Sequence, residues 1–180
     1  MVAPRVRILQ SKSIYDGKVV RLKVDRVVEP GGVEVAREVV DHSGSVVVLP
    51  RLPGDRVLLV RQFRYATGRS LWELVAGGLE PGESIKQAAR RELLEETGYR
   101  ARHIKPLISF FPSPGFLSER MHLVEAWGLA SGKSQPESDE RIRVGIFTAG
   151  QVRAMLRMKR IEDGKILIGV AWLLLKGALI

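Results

Sequence analysis

"AGGLEPGESIKQAARRELLEETGY", residues 76–99, closes on three glutamates, Glu92, Glu95 and Glu96, within five residues. The chain around them has 180 residues and a formal net charge of +9, so this local crowding of acid runs against the whole. Ser84 and Gln87 stand three apart, as in a capping box, and Gly98 sits where a helix takes a left-handed stop. A helix over about 84–97 is therefore expected. At about 3.6 residues per turn, Glu92, Glu95 and Glu96 are related by i, i+3 and i+4 and share one face. Each like-charge pair at that spacing costs roughly 0.2–0.5 kcal/mol. The three also lie near the negative end of the helix dipole, where cations are preferred. Ile85, Ala88 and Ala89 precede them, so the stripe is expected to start against the protein and emerge into a cleft. Two readings follow. One is a solvated acidic face balanced by Arg90 and Arg91. The other is a seat for Mg²⁺ or Mn²⁺, hard cations that take carboxylate oxygens and leave room for substrate phosphates.

Composition narrows the class. The chain is 45% hydrophobic, enough to bury a core in one domain of ordinary size. It has no cysteine, which excludes disulfides, thiolate metal sites and cysteine nucleophiles. The excess charge, mostly arginine, favours anionic partners such as phosphorylated metabolites. The basic residues are scattered, with no run of five and no interleaved aromatics, so nucleic acid is not expected as a partner. The opening "MVAPRVRILQ" lacks the apolar core of a signal peptide, and the longest apolar stretch, Ile166 to Leu175, is too short to span a bilayer. A cytoplasmic protein without a membrane role is expected.

Outward from the helix, "GKVVRLKVDRVVEP", "PGG" and "VEVAREVV" (17–40) read as a hairpin. "SVVVLP" (45–50) and "VLLVRQFRY" (57–65) read as strands joined by "RLPGDR". "PLISFF" (106–111), "RMHLVEAWGL" (120–129) and "RIRVGIFT" (141–148) are further strands, with a polar loop at 131–140. Two helices, roughly 149–159 and 165–176, close the chain. This is an α+β pattern, with a soft boundary near residue 42.

The flanks of the acidic helix decide between its two readings. Gly77 is followed after five residues by Glu83, and after seven more by Arg91-Glu92-Leu93-Leu94-Glu95-Glu96-Thr97-Gly98-Tyr99. This resembles the Nudix box, G-x5-E-x7-R-E-U-x-E-E-x-G-U, at every charged and glycine position; Tyr99 departs, being aromatic where the box has an aliphatic residue. The resemblance implies the Nudix fold, a mixed β-sheet sandwiched between helices. It implies that Glu92, Glu95 and Glu96 hold Mg²⁺, with Mn²⁺ able to substitute, joined by the main-chain carbonyl of Ala76. Glu83 and Arg91 are then a structural ion pair, and Gly77, Gly78 and Gly82 a tight loop passing close to the substrate.

Outside the box, "SFFPSPGFLSER" (109–120), with Pro114 about fifteen residues past it, is similar to the ADP-ribose pyrophosphatase branch, as are "VRQFRYATGRSLWELVAGGLEPGE" and "AREVVDHSGSVVVLP". That likeness implies hydrolysis of ADP-ribose to AMP and ribose 5-phosphate, with ADP-glucose, GDP-mannose or NADH as alternative substrates. A non-catalytic nucleotide- or RNA-binding module is a further alternative, disfavoured because every box glutamate is present. The likeness also implies that Arg64 contacts the diphosphate, that Arg37 and Glu38 recognise the nucleotide end from the partner subunit, and that Glu119 lies near the terminal ribose. Catalysis would fall to Glu95, Glu96 and an acid of the 131–140 loop: Glu140 as metal ligand or base, then Glu137, with Asp139 also offered. Lys18-Val19 stand where relatives often place an aromatic against the base, which leaves base preference open. Residues 1–42 are expected to be an N-terminal antiparallel appendage exchanged across a homodimer, and 43–180 the hydrolase domain. His42, His103 and His122 have no metal-ligand spacing and read as packing or surface residues, as Trp72 reads as core or cleft wall.

Overall fold

A computed structural model describes residues 5–132 and 141–175. The chain forms two compact units: Met1–Gly44 with Phe110–Met121, and Ser45–Ser109 with His122–Ile180.

In the first unit β1 (Arg7–Asp16), β2 (Arg21–Val28) and β3 (Glu34–Asp41) form an antiparallel sheet in that order. β2 and β3 pair in step from Arg21 opposite Asp41 to Val28 opposite Glu34. The turn between them needs Gly31 and Gly32, whose φ angles are +96° and +85°, in the region glycine enters without steric cost. The hairpin expected over 17–40 is therefore present, and β1 adds a third strand to it. The "PSPG" segment returns to this unit: Val40 donates its N–H to the Phe116 carbonyl (2.8 Å), and Ser118 donates to the Val40 carbonyl (2.9 Å).

The second unit holds a seven-stranded sheet and the helices. Its strands are β4 (Ser45–Leu52), β5 (Arg56–Arg64), β6 (Arg69–Glu73), β7 (Val75–Gly78), β8 (Tyr99–Phe110), β9 (Met121–Ser131) and β10 (Arg143–Thr148). The order is β10-β5-β4-β9-β8, with β6 on β5 and β7 on β4. The helices are α1 (Ile85–Thr97), α2 (Ala149–Arg157) and α3 (Gly164–Leu175).

The apolar runs of β4 and β5 do not alternate because both their faces are covered. Val46, Val48, Leu58 and Val60 pack with Val75 against Ala88, Ala89 and Leu93 of α1. On the other face Leu49, Val57, Leu59 and Leu74 meet Val152 of α2 and Ile166, Val170 and Leu173 of α3. Side chains of successive strand residues point to opposite faces, so one run serves both helix layers. Each fully buried Val or Leu contributes about 1.5–3 kcal/mol. α3 lies close on the sheet at Gly169, where an added Cβ would sit 2.9 Å from Leu74 Cδ1. No helix among the described residues is long and apolar enough to cross a membrane.

Candidate active site

The box folds as strand, loop, helix and stop, each end fixed locally. β7 pairs antiparallel with β4, Gly77 opposite Val46 and Ala76 opposite Val47. Gly82 takes φ +78° to turn the loop back toward the helix. Ser84 caps α1 through both bonds of a capping box: its N–H donates to Gln87 Oε1 (3.0 Å), and the Gln87 N–H donates to Ser84 Oγ (3.4 Å). Gly98, at φ +76°, ends the helix, its N–H donating to the Leu94 carbonyl.

Arg91 holds these pieces together. Nε donates to Glu83 Oε1 (3.0 Å), and Nη2 donates to Glu83 Oε2 (2.8 Å) and to the Gly78 carbonyl (2.9 Å). Nη1 donates to Glu92 Oε1 (2.6 Å) and Glu95 Oε2 (3.2 Å). A guanidinium has five N–H donors, and these five bonds use all of them. The paired Glu83 carboxylate, with Glu92, raises the Arg91 pKa further above its already high range. Arg91 in turn holds the Glu83 carboxyl below its ordinary value. The pair expected from the box spacing is thus in contact, and it reaches two further glutamates and the end of β7.

Glu92 and Glu96 are buried, while Glu95 is half-buried. The Glu92 carboxyl lies directly on Gly77: a Cβ there would collide with it. Only glycine leaves this space, so the residue that opens the box forms a cradle for one of its carboxylates. Three carboxylates on one helix face are an all-oxygen donor set suited to a hard divalent cation. As the side chains stand, no three His, Cys, Asp or Glu among the described residues converge as a metal cage. The Arg91 guanidinium bridges Glu92 and Glu95 instead.

Arg64, at the end of β5, makes a bidentate bond to Glu73 of β6: Nε to Oε1 at 2.7 Å and Nη2 to Oε2 at 2.8 Å. Nothing in the local sequence marked Glu73; it reads there as one more residue of "LWELVAGG". The box residues and Arg64 belong to the second unit. Arg37, Glu38 and Glu119 belong to the first. Arg37 is bidentate to Glu29 across the β2–β3 turn (2.8 and 3.0 Å), Glu38 is exposed opposite Val24, and Glu119 Oε1 lies 3.8 Å from His42 Nδ1. Glu137, Asp139 and Glu140 lie outside the described residues. The other histidines are engaged in packing and hydrogen bonding: His103 stacks on Trp127, and His122 Nδ1 is 2.7 Å from Ser109 Oγ. Trp72 packs edge-on against Phe147, with ring centroids 4.8 Å apart.

With this geometry, residues 41–168 match the Nudix domain family, and the chain belongs to that family. It is 38% identical over 173 residues to the methanol dehydrogenase activator of Bacillus methanolicus, covering 95% of this chain and 94% of that protein. To the ADP-ribose pyrophosphatase of Bacillus subtilis it is 35% identical over 173 residues, with the same coverage, 95% and 94%. The GDP-mannose pyrophosphatase of Yersinia enterocolitica is 33% identical over 157 residues, 82% of each chain. A crystal structure of an ADP compounds hydrolase has the same fold, with a TM-score of 0.81 at 20% identity over 97% of both chains. The expected α+β Nudix architecture, with its N-terminal antiparallel sheet, is the one observed.

Two outcomes test this reading of the site. Gly77→Ala should displace Glu92 and lower the metal-dependent kcat about ten- to a hundredfold; steady-state turnover with Mg²⁺ checks it. The second concerns acid stability. Because the folded pKa of Glu83 is depressed, its contribution is present above the unfolded value of about 4.3 and is lost as pH falls through the folded value. Glu83→Gln should therefore cost about 1 kcal/mol at pH 7 and show a shallower loss of stability in acid. Urea denaturation of both proteins across the acid range checks this; parallel acid limbs would refute it.

Proposed function

We propose that this chain is a Mg²⁺-dependent pyrophosphatase that splits the diphosphate of ADP-ribose into AMP and ribose 5-phosphate. The observation that carries the proposal is the complete box, folded so that one arginine gathers Glu83, Glu92 and Glu95 beside Gly77. Support for this substrate comes from the ADP-ribose pyrophosphatases at 33–35% identity.

In the mechanism, Glu92, Glu95 and Glu96 would hold the cation together with the Ala76 carbonyl, and Glu140, outside the described residues, would add a further carboxylate. When bound, the cation neutralises diphosphate oxygens and lowers the pKa of a coordinated water. Arg64 binds the diphosphate; an arginine fork suits paired phosphate oxygens. A water oxygen forms a bond to one phosphorus, the bond from that phosphorus to the bridging oxygen breaks, and a loop carboxylate, Glu140 first, takes the water proton. Arg91 has no donor left for substrate, so its part is to hold Glu92 and Glu95 in place. By the family likeness, Arg37 and Glu38 would recognise the nucleotide end from the partner subunit and Glu119 would lie near the terminal ribose, while Gly78 lets the loop pass close to the substrate.

A second reading, the same chemistry on another nucleotide sugar, is favoured by the GDP-mannose pyrophosphatase at 33% identity and by Lys18-Val19 in place of a base-stacking aromatic. A panel of ADP-ribose, ADP-glucose, GDP-mannose and NADH with Mg²⁺ or Mn²⁺ separates the two. ADP-ribose should give the highest kcat/KM, and Glu96→Gln should remove about 99% of that turnover without unfolding the chain. Near-normal kcat in the variant would sink the metal assignment.

We also propose a cytoplasmic homodimer that exchanges the N-terminal sheet. Ile8, Ile14, Tyr15, Val19 and Val33 of that sheet and its turns are each at least 50% exposed, more large apolar surface than a three-stranded sheet needs to leave in water. Sedimentation should give a dimer at micromolar protein. A monomer there would refute the exchange.

A further inference from the structure

Arg64 is the outermost member of a four-residue buried ion network, and the other three have no place yet in the reaction. Glu73, on which it forks, has a side chain only 2% exposed. Its Oε2 also accepts from Lys165 Nζ at 3.0 Å, and Lys165 donates to Asp163 Oδ2 at 2.7 Å. Asp163 Oδ1 accepts the backbone N–H of Ile166 (3.0 Å), in the first turn of α3. Strand β5, strand β6 and the start of α3 are thus linked through two carboxylates and two cations. Burial pushes the Glu73 carboxyl up, but Arg64 and Lys165 outweigh it and hold the group ionised. Burial likewise opposes the Lys165 charge, and Asp163 and Glu73 restore it.

The donor inventory shows what the network leaves over. Arg91 has committed all five donors, but Arg64 commits only Nε and one Nη2 hydrogen. The outer end of its guanidinium, Nη1 and the second Nη2 hydrogen, makes no bond among the described residues, and its side chain is 41% exposed, against 2%, 9% and 15% for Glu73, Asp163 and Lys165. Glu73, itself held by Lys165, therefore grips one edge of the Arg64 guanidinium and leaves the opposite, part-exposed edge unbonded among the described residues. That edge suits paired oxygens of a phosphate. Without Lys165, Glu73 would keep one neutralising partner and one spare acceptor site, and the fork would lose its fixed seat.

We propose that Glu73 and Lys165 are positioning residues that act through Arg64, fixing its free edge for the substrate diphosphate. This rests on the reading of Arg64 as the diphosphate ligand. It gives the C-terminal helix a part in substrate binding, since Lys165 is carried by α3 and seated by Asp163 at the start of that helix.

The test is a double-mutant cycle on the full chain with Mg²⁺ and the substrate the panel selects. The variants are Arg64→Ala, Glu73→Gln, Lys165→Met, Lys165→Arg and the two doubles with Arg64→Ala. Arg64→Ala should raise KM about tenfold or more, and Glu73→Gln and Lys165→Met about five- to twentyfold, with kcat changed less than KM. On the Arg64→Ala background the second substitution should add less than about twofold, because the position it sets is already gone. Lys165→Arg, which keeps the charge, should restore part of the lost KM. Multiplicative losses in the doubles, or unchanged KM with a lowered Tm, would make the network purely structural and overturn the inference. If Arg64→Ala itself binds substrate normally, the reading of Arg64 fails instead, so the two failures are distinguishable. Should Glu73→Gln not fold, the Lys165 arm carries the cycle alone.

Discussion

Two buried carboxylates one helical turn apart, Glu92 and Glu96, need a cation close by. For Glu92 that cation is Arg91, which also reaches Glu95. It stands next to Glu92 in sequence and four residues before Glu95, and it reaches back across the loop to Glu83 and the Gly78 carbonyl. One side chain therefore fixes the loop against the strand before it and the carboxylates on the helix after it. Gly77 supplies the complementary constraint, since any side chain there would occupy the space of the Glu92 carboxyl. What looks like an electrostatic fault in the helix, three acids near the negative end of its dipole, is balanced at Glu92 and Glu95 by an arginine of the same helix, which Glu83 and the Gly78 carbonyl hold in place.

The rest of the second unit keeps this arrangement rigid. β4 carries β7 and packs on α1, so the strand that ends at the glycines and the helix that bears the glutamates share one core. The opposite face of the same strands is closed by α2 and α3. The sheet is thus packed on both sides, and the site sits on strand and helix termini, the placement that holds side chains most exactly in register with one another. The close approach at Gly169 and the Lys165–Glu73 bond anchor α3 at two points, one apolar and one ionic.

The sequence made legible whatever is encoded locally. The capping box at Ser84 and the stop at Gly98 are set by spacings of a few residues, and both have the expected geometry; the Glu83–Arg91 contact was implied only by the likeness to the Nudix box. Less legible were elements whose stability comes from pairing partners far along the chain. β1 is almost wholly exposed, and its "RILQSKSIYD" lacks clean alternation, so only its pairing with β2 makes it a strand. β8 begins at Tyr99, seven residues before the expected strand, because its first half is charged and Pro106 interrupts the pattern. The Glu73–Lys165 bond spans 92 residues, and no periodicity joins those positions. The Arg37–Glu29 fork is nearer in sequence, yet the hairpin register had to place it.

The two forked arginines also bear on how discrimination among substrates can arise. Arg91 is saturated by protein acceptors and Arg64 is half-committed, so of the two only Arg64 has donors to offer a ligand. A guanidinium edge and a set of carboxylates beside it answer to a diphosphate flanked by a cation, which every nucleoside diphosphate sugar presents alike. Neither group carries information about the base or the far sugar. Discrimination among such substrates must then come from residues outside this charge pairing. A site built to hydrogen-bond a given hydroxyl or ring nitrogen rejects a ligand that leaves those bonds unmade far more strongly than an apolar wall rejects a small misfit.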